Sequence, residues 1–214
     1  MDLYFSPLAC SMDSRIAFYE AGINGNFVYV DTQAKQLADG SDYLAVNPMG
    51  QVPVLRTDAG ELLTENPVVL QYIADQKPTS GLAAQSGLDR YRLQQWLNFI
   101  TSELHKVVFI PLLDPTVGSE GKAYAREKAE WRMAHLNSHL DGREFLLDRF
   151  TVADAYLVTV LNWARFVNFD LAKWPAVASY FDRISKRPYV AKAMAEEMVA
   201  YQQQQARRAA ATKR

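Results

Sequence analysis

The chain has 214 residues, 49% of them hydrophobic and 12% aromatic, enough to bury a sizeable core and too apolar for a disordered segment. Its 23 Lys and Arg against 24 Asp and Glu leave a net charge of −1, which excludes the broad basic footprint of a nucleic-acid binder. A single cysteine excludes an internal disulfide framework and a multi-cysteine metal site, so any role for it is that of a thiol.

The length fits one large domain or two small ones. The N-terminal run Met1-Asp2-Leu3-Tyr4-Phe5-Ser6-Pro7 has no basic segment and no long apolar stretch, so no signal peptide is expected. No run approaches about 18 uninterrupted apolar residues, so no membrane span is expected. The default expectation is a cytoplasmic protein, where a lone thiol stays reduced.

The first 77 residues are short segments of mixed type. Leu3-Tyr4-Phe5 is a brief apolar run stopped by Pro7. Met12, Ile16, Tyr19 and Ile23 recur at helical spacing, and Gly22 and Asn24-Gly25 end that helix. Phe27-Val28-Tyr29-Val30 is rich in strand formers. Residues 32–46 are polar and irregular, with room for a short helix. Val52-Pro53-Val54-Leu55 and Glu61-Leu62-Leu63-Thr64 flank a Gly-containing turn and read as a hairpin. Glu65 to Lys77 is then a helix that admits Pro67 in its first turn and stops at Pro78. The order β-α-β-α-β-β-α is an α/β sandwich of thioredoxin type.

Residues 78–87 hold turn formers and no charge, and read as a linker. Everything after Leu88 is helical. Leu93, Leu97, Ile100, Leu104 and Val107 mark one long amphipathic helix, and a second runs from about Glu120 to Leu140. Thr151-Val152-Ala153-Asp154 is a capping box with Asp in place of Glu, opening a helix from Ala155 to Phe166. Two further helices start at Pro175 and Pro188. The expected division is 1–80 as the thioredoxin-like domain, 88–201 as an all-α helical domain, and 202–214 as a basic, flexible tail.

Three features carry chemistry. Cys10 lies between a strand and a helix, where unpaired backbone N–H groups and the helix dipole favour a thiolate. Without a Cys-x-x-Cys partner, any disulfide it forms is with an outside thiol; a buried, inert cysteine is the plainer alternative. Val52-Pro53 opens a strand, and in an architecture of this type a cis bond is expected there, leaving backbone groups free for a ligand. Glu65-Asn66 opens a helix; alone it reads as capping, while its functional reading is a carboxylate-and-ammonium site. His105 shares a polar stripe with Asn98, Thr101 and Ser102 on the long helix, placed either to polarise a thiol or to face solvent. His135 and His139 have two-histidine metal spacing but no third ligand, and read as a solvated face.

Together these features resemble a glutathione S-transferase, most closely the bacterial beta class. The motifs are Pro7-Leu8-Ala9-Cys10-Ser11, Asn47-Pro48-Met49-Gly50-Gln51-Val52-Pro53, Leu63-Thr64-Glu65-Asn66, the run from Trp96 to Lys106, and Arg149 to Leu157. The resemblance implies the glutathione transferase fold and glutathione as cosubstrate, with no metal. It implies that Cys10 faces the glutathione sulfur and that Val52 pairs with the cysteinyl backbone beside a cis Pro53. Glu65 and Asn66 would hold the γ-glutamyl end, and Lys35 the glycyl carboxylate. His105 and Lys106 would face the thiol and the peptide, Asn98 would lie along the same wall, and Glu103 would reach the partner subunit's glutathione. Thr151 and Asp154 resemble the family's structural capping box. Two departures stand out: Asn66 replaces a more usual Ser, and Met49 a common Lys.

The implied activity is conjugation of glutathione to small electrophiles, a detoxification chemistry, with disulfide reductase activity through a mixed disulfide at Cys10 beside it. Phe109, Leu112, Trp163 and Phe166 would line an apolar cosubstrate pocket. A homodimer is expected on family grounds, with no nucleic acid and no membrane as partner. The alternative is a non-catalytic stress or interaction module of the same fold. A glutathione-dependent isomerase would fit better with a Ser-rich first motif, which this chain lacks.

Overall fold

The computed structural model describes residues 1–212. The chain divides into two compact units, one of Met1–Ser80 together with the helix that begins at Pro188, the other of Gly81–Arg187.

The first unit is built on a five-stranded sheet in the order β3-β2-β1-β4-β5. Strand β1 (Asp2–Phe5) is central, parallel to β2 (Asn26–Asp31) and antiparallel to β4 (Val54–Arg56). Strand β5 (Leu62–Leu63) extends the hairpin from β4, as the Gly-containing turn predicts. Strand β3 (Gln36–Leu37), antiparallel to β2, falls in the stretch expected to be irregular. The short helix foreseen there is one 3₁₀ turn, Tyr43–Ala45, started by the Asp42 carboxylate. Leu3, Val54 and Leu55 are fully buried, so the sheet core is apolar.

Helix α1 (Met12–Ala21) ends at Gly22, whose φ of 63° lets the Gly22 and Ile23 amides turn back onto the Phe18 and Tyr19 carbonyls. Helix α2 (Asn66–Asp75) carries Pro67 in its first turn.

The second unit is helical. Helix α3 (Gly87–Phe99) runs into a π-helical segment, Ile100–Phe109, and then α4 (Ile110–Leu113). The single continuous α-helix expected here is therefore interrupted. The reason is local: the Thr101 and Ser102 hydroxyls donate to the Leu97 and Asn98 carbonyls, and Pro111 has no N–H to offer. Helix α5 (Ser119–Leu140) follows, then α6 (Val152–Leu161), a 3₁₀ turn over Asn162–Phe166, and α7 (Pro175–Ser185). The segment read as a linker is partly core, with Leu82 and Ala83 buried and the Leu82 carbonyl accepting the Val152 amide.

Helix α8 (Pro188–Thr212) corrects the expected division. It belongs with the sheet unit, not the helical one, and packs on α1. The stretch expected to be a flexible tail from residue 202 continues this helix. There Gln204 Nε2 donates to the Tyr29 hydroxyl at 3.0 Å and Arg208 pairs with Asp31 at 2.8 Å. Residues 213 and 214 of that expected tail lie outside the described residues.

In the helical unit the capping box is formed. Asp154 is fully buried, and one oxygen accepts the Thr151 amide and hydroxyl at 2.9 and 3.0 Å. The other accepts the Leu146 amide at 2.9 Å and the Tyr180 hydroxyl at 2.8 Å. One carboxylate thus satisfies four donors from α6, the preceding loop and α7. Asp154→Ala strands these donors in the interior, so a loss of about 3 kcal/mol is expected. Thermal unfolding should show a midpoint roughly 6–12 °C lower.

Candidate active site

The site in the sheet unit starts from the loop between β1 and α1. Ser11 takes the N-cap position of α1, and Cys10 precedes it, half-buried. The loop closes on itself through the Ser11 hydroxyl, which donates to the Ser6 carbonyl and accepts the Ser6 amide, both at 3.3 Å. Leu8 adopts a left-handed φ of 59°. This path brings Cys10 Sγ to the Val52 carbonyl oxygen at 3.2 Å. The Val52-Pro53 bond is cis, as expected. The preceding turn is braced from beneath: the Tyr43 hydroxyl and Asn47 Nδ2 donate to the Gln51 carbonyl at 2.8 and 2.9 Å.

Lys35, also at a left-handed φ of 57°, lies across Gly50 and donates from Nζ to its carbonyl at 2.9 Å. A side chain at Gly50 would collide with it, because a Cβ there falls 2.8–3.0 Å from the Lys35 chain end. The ammonium keeps two more protons to offer. Met49 is 77% exposed and contributes no charge.

Glu65 precedes α2 at a φ of 62°, is exposed, and its carboxylate has no hydrogen-bond partner among the described residues. A charged group in a costly backbone conformation with no internal partner is a functional signal. Asn66 beside it is buried. Its Nδ2 donates to the Asp13 carboxyl, and its Oδ1 has no partner. Asn66 is therefore turned inward, toward α1.

Asp13 was not singled out by sequence reasoning. It is fully buried on α1, held by Asn66 and by the Ser14 hydroxyl at 3.1 Å. Burial outweighs these hydrogen bonds and raises its pKa to about 8. A carboxyl that keeps its proton to pH 8 when folded, but loses it near pH 4 when unfolded, makes folding less favourable as pH rises between those values. Asp13→Asn removes that dependence. Melting curves at pH 5 and pH 8.5 should show wild type losing about 5 °C more than the variant across that interval.

In the helical unit the expected residues separate. His105 is not on a solvent-facing stripe. The π-helical turns carry it round to the interior, where it is 5% exposed. Its Nδ1 meets the Tyr156 hydroxyl at 2.6 Å, and its ring lies edge-on to Trp163 at 4.8 Å. Burial, with a smaller push from Lys106, lowers its pKa to about 3. It is neutral at pH 7 and too weak a base to hold a thiol proton. Lys106 is exposed. Asn98 is exposed and donates to the Gln94 carbonyl at 2.8 Å. Glu103 pairs with Arg132 at 2.6 Å.

The four residues expected to line an apolar pocket differ in exposure. Phe109, Leu112 and Trp163 are buried, and Phe109 and Trp163 join an aromatic cluster with Phe169, while Phe166 is 43% exposed. A cavity of about 410 Å³ does exist in this unit, lined by Trp96, His135, His139 and arginines. Its Arg92 is paired with Asp89 and its Arg149 with the Gly81 carbonyl. His139 is tied through Nε2 to the Leu146 carbonyl at 2.8 Å. Among the described residues no cluster of three or more metal-ligating side chains is present.

A sheet unit with a thiol at its first strand–helix turn, a cis proline opposite it and a helical second unit define a glutathione-transferase-type architecture. Comparison with known proteins agrees. Family models for the glutathione S-transferase N-terminal and C-terminal domains match residues 9–76 and 100–188. Glutathione S-transferase GstA of Escherichia coli O157:H7 is 41% identical over 92% of this chain and 98% of its own. The bacterial transferase BphK in its ternary complex is 46% identical, with a TM-score of 0.89 over 92% of this chain and 99% of its own. The beta-class enzyme of Sphingomonas chungbukensis is 41% identical, with a TM-score of 0.88 over 92% and 98%. The chain belongs to the glutathione S-transferase family and is structurally close to its bacterial beta class.

Proposed function

We propose that this transferase binds glutathione along the sheet unit, conjugates it to small electrophiles, and uses Cys10 as a reacting thiol in thiol–disulfide exchange. The observation that supports this most is the 3.2 Å approach of Cys10 Sγ to the Val52 carbonyl. It sets a thiol beside the backbone just ahead of β4, which can pair with a short peptide. Glu65, without an internal partner, suits the γ-glutamyl ammonium. Lys35 suits the glycyl carboxylate. A transferase from a sphingomonad, 45% identical, has been solved in complex with glutathione, which favours the same ligand here.

In exchange, the Cys10 thiolate attacks one sulfur of a glutathione-containing disulfide. A Cys10–glutathione disulfide forms, and the other thiolate leaves. A second glutathione thiolate then attacks the glutathione sulfur, releasing oxidised glutathione and restoring Cys10. In conjugation, the glutathione thiolate attacks the electrophilic carbon and displaces its leaving group, with the thiol proton passing to water. His105, neutral by burial, is too weak a base to take that proton. A cytoplasmic homodimer serving detoxification completes this reading.

Intact mass after incubation with oxidised glutathione tests the exchange. Wild type should gain one dithiothreitol-reversible glutathione, and Cys10→Ala none. A wild type with no adduct rules the exchange out. Retention on glutathione resin, with elution by free glutathione, separates an enzyme from an interaction module. Failure to bind would favour the module.

A further inference from the structure

Helix α8 carries a buried acid that glutathione binding does not use. Glu197 has no exposed surface. One oxygen accepts Arg15 Nε at 2.8 Å, and the other accepts the Leu8 amide, also at 2.8 Å. Arg15 in turn lies over the Phe5 and Phe27 rings, 4.5 and 4.0 Å from their centres, and reaches Glu196 at 3.4 Å. A buried ion pair gains little over well-packed apolar side chains, so helix packing alone does not explain a carboxylate here. Its second oxygen does what an apolar residue cannot: it holds an amide of the loop that carries Cys10. That amide belongs to Leu8, the residue in the left-handed conformation.

We propose that Glu197 is a positioning residue, which holds the Leu8 amide from the far end of the chain and so sets Cys10 Sγ against the Val52 carbonyl. The inference rests on the reading above only in taking Cys10 as the reacting thiol. The charged and titratable groups facing Glu197 are Arg15 and Asp13 on α1 and Glu196 on α8, with Tyr19 bonded to Glu196 beyond them.

Glu197→Gln keeps the shape but leaves one acceptor. The Arg15 cation takes it, and the amide NH₂ then opposes the Leu8 N–H. The loop shifts at Leu8, and the Cys10 thiol loses the carbonyl that favours its protonated form. With a single cysteine, every alkylation by iodoacetamide is a Cys10 event. The pH profile of alkylation should move to lower pH, and the rate at pH 7 should rise about fivefold.

Two further variants make the result decisive. Replacing Arg15 and Glu197 together by Met removes the loop acceptor without leaving a buried charge, and should give the same shift. Arg208→Ala loosens α8 away from the loop and should lower the melting midpoint while keeping the wild-type profile. The proposal is overturned if Glu197→Gln and the double variant both keep the wild-type profile, or if Arg208→Ala shifts it equally. A wild type that takes no glutathione adduct, together with the expected shift in alkylation, would sink the exchange mechanism and leave the positioning role standing.

Discussion

The ion pair between Arg15 on α1 and Glu197 on α8 is the interaction on which the sheet unit turns. It joins residues 182 positions apart in the chain. Both charges are out of water, which costs several kcal/mol unless each finds its full set of partners. Here they do. Arg15 spreads its donors over Glu197 and Glu196 and its face over Phe5 and Phe27, while Glu197 divides its oxygens between Arg15 and Leu8. The last helix is thereby fastened to the first one, and the loop between β1 and α1 is fastened to both.

From that anchor the site is assembled by short-range chemistry. The loop delivers Cys10 to the Val52 carbonyl, and Tyr43 and Asn47 hold the turn that presents Val52. Across α1, Asp13 reaches Asn66 and ties the start of α2 to the helix that follows the thiol. Thiol, Val52 and Glu65 are therefore connected through buried polar groups, while Lys35 rests on Gly50. The buried polar groups set where the solvent-facing ones stand.

Much of this was legible in the residues, because it depends on local signals. Gly22 as a helix stop, Pro67, Pro175 and Pro188 near helix starts, the Gly60 hairpin and the Thr151–Asp154 box each act over a few residues, and each is found. What escaped reading depends on long-range or register effects. Strand β3 is two residues long and exists because β2 offers an edge. The π-helical turns arise from two hydroxyls and a proline acting on the same carbonyl ladder, and they moved His105 from an expected polar stripe into the interior. Phe109 and Trp163 have the spacing of a pocket lining and of a core alike, and only their neighbours decide. Helix α8 follows other helices in sequence and so reads as part of the helical unit. Nothing local in Glu197 announces that its partners are Leu8 and Arg15.

Glutathione held by the sheet unit with its sulfur at Cys10 is the proposal on which the others rest. A crystal structure grown with saturating glutathione measures this directly. The account predicts the glutathione sulfur within about 4 Å of Cys10 Sγ, its cysteinyl backbone paired with Val52 and its γ-glutamyl ammonium at Glu65. Glutathione bound with its sulfur away from Cys10, or absent from the sheet unit at saturation, would contradict it.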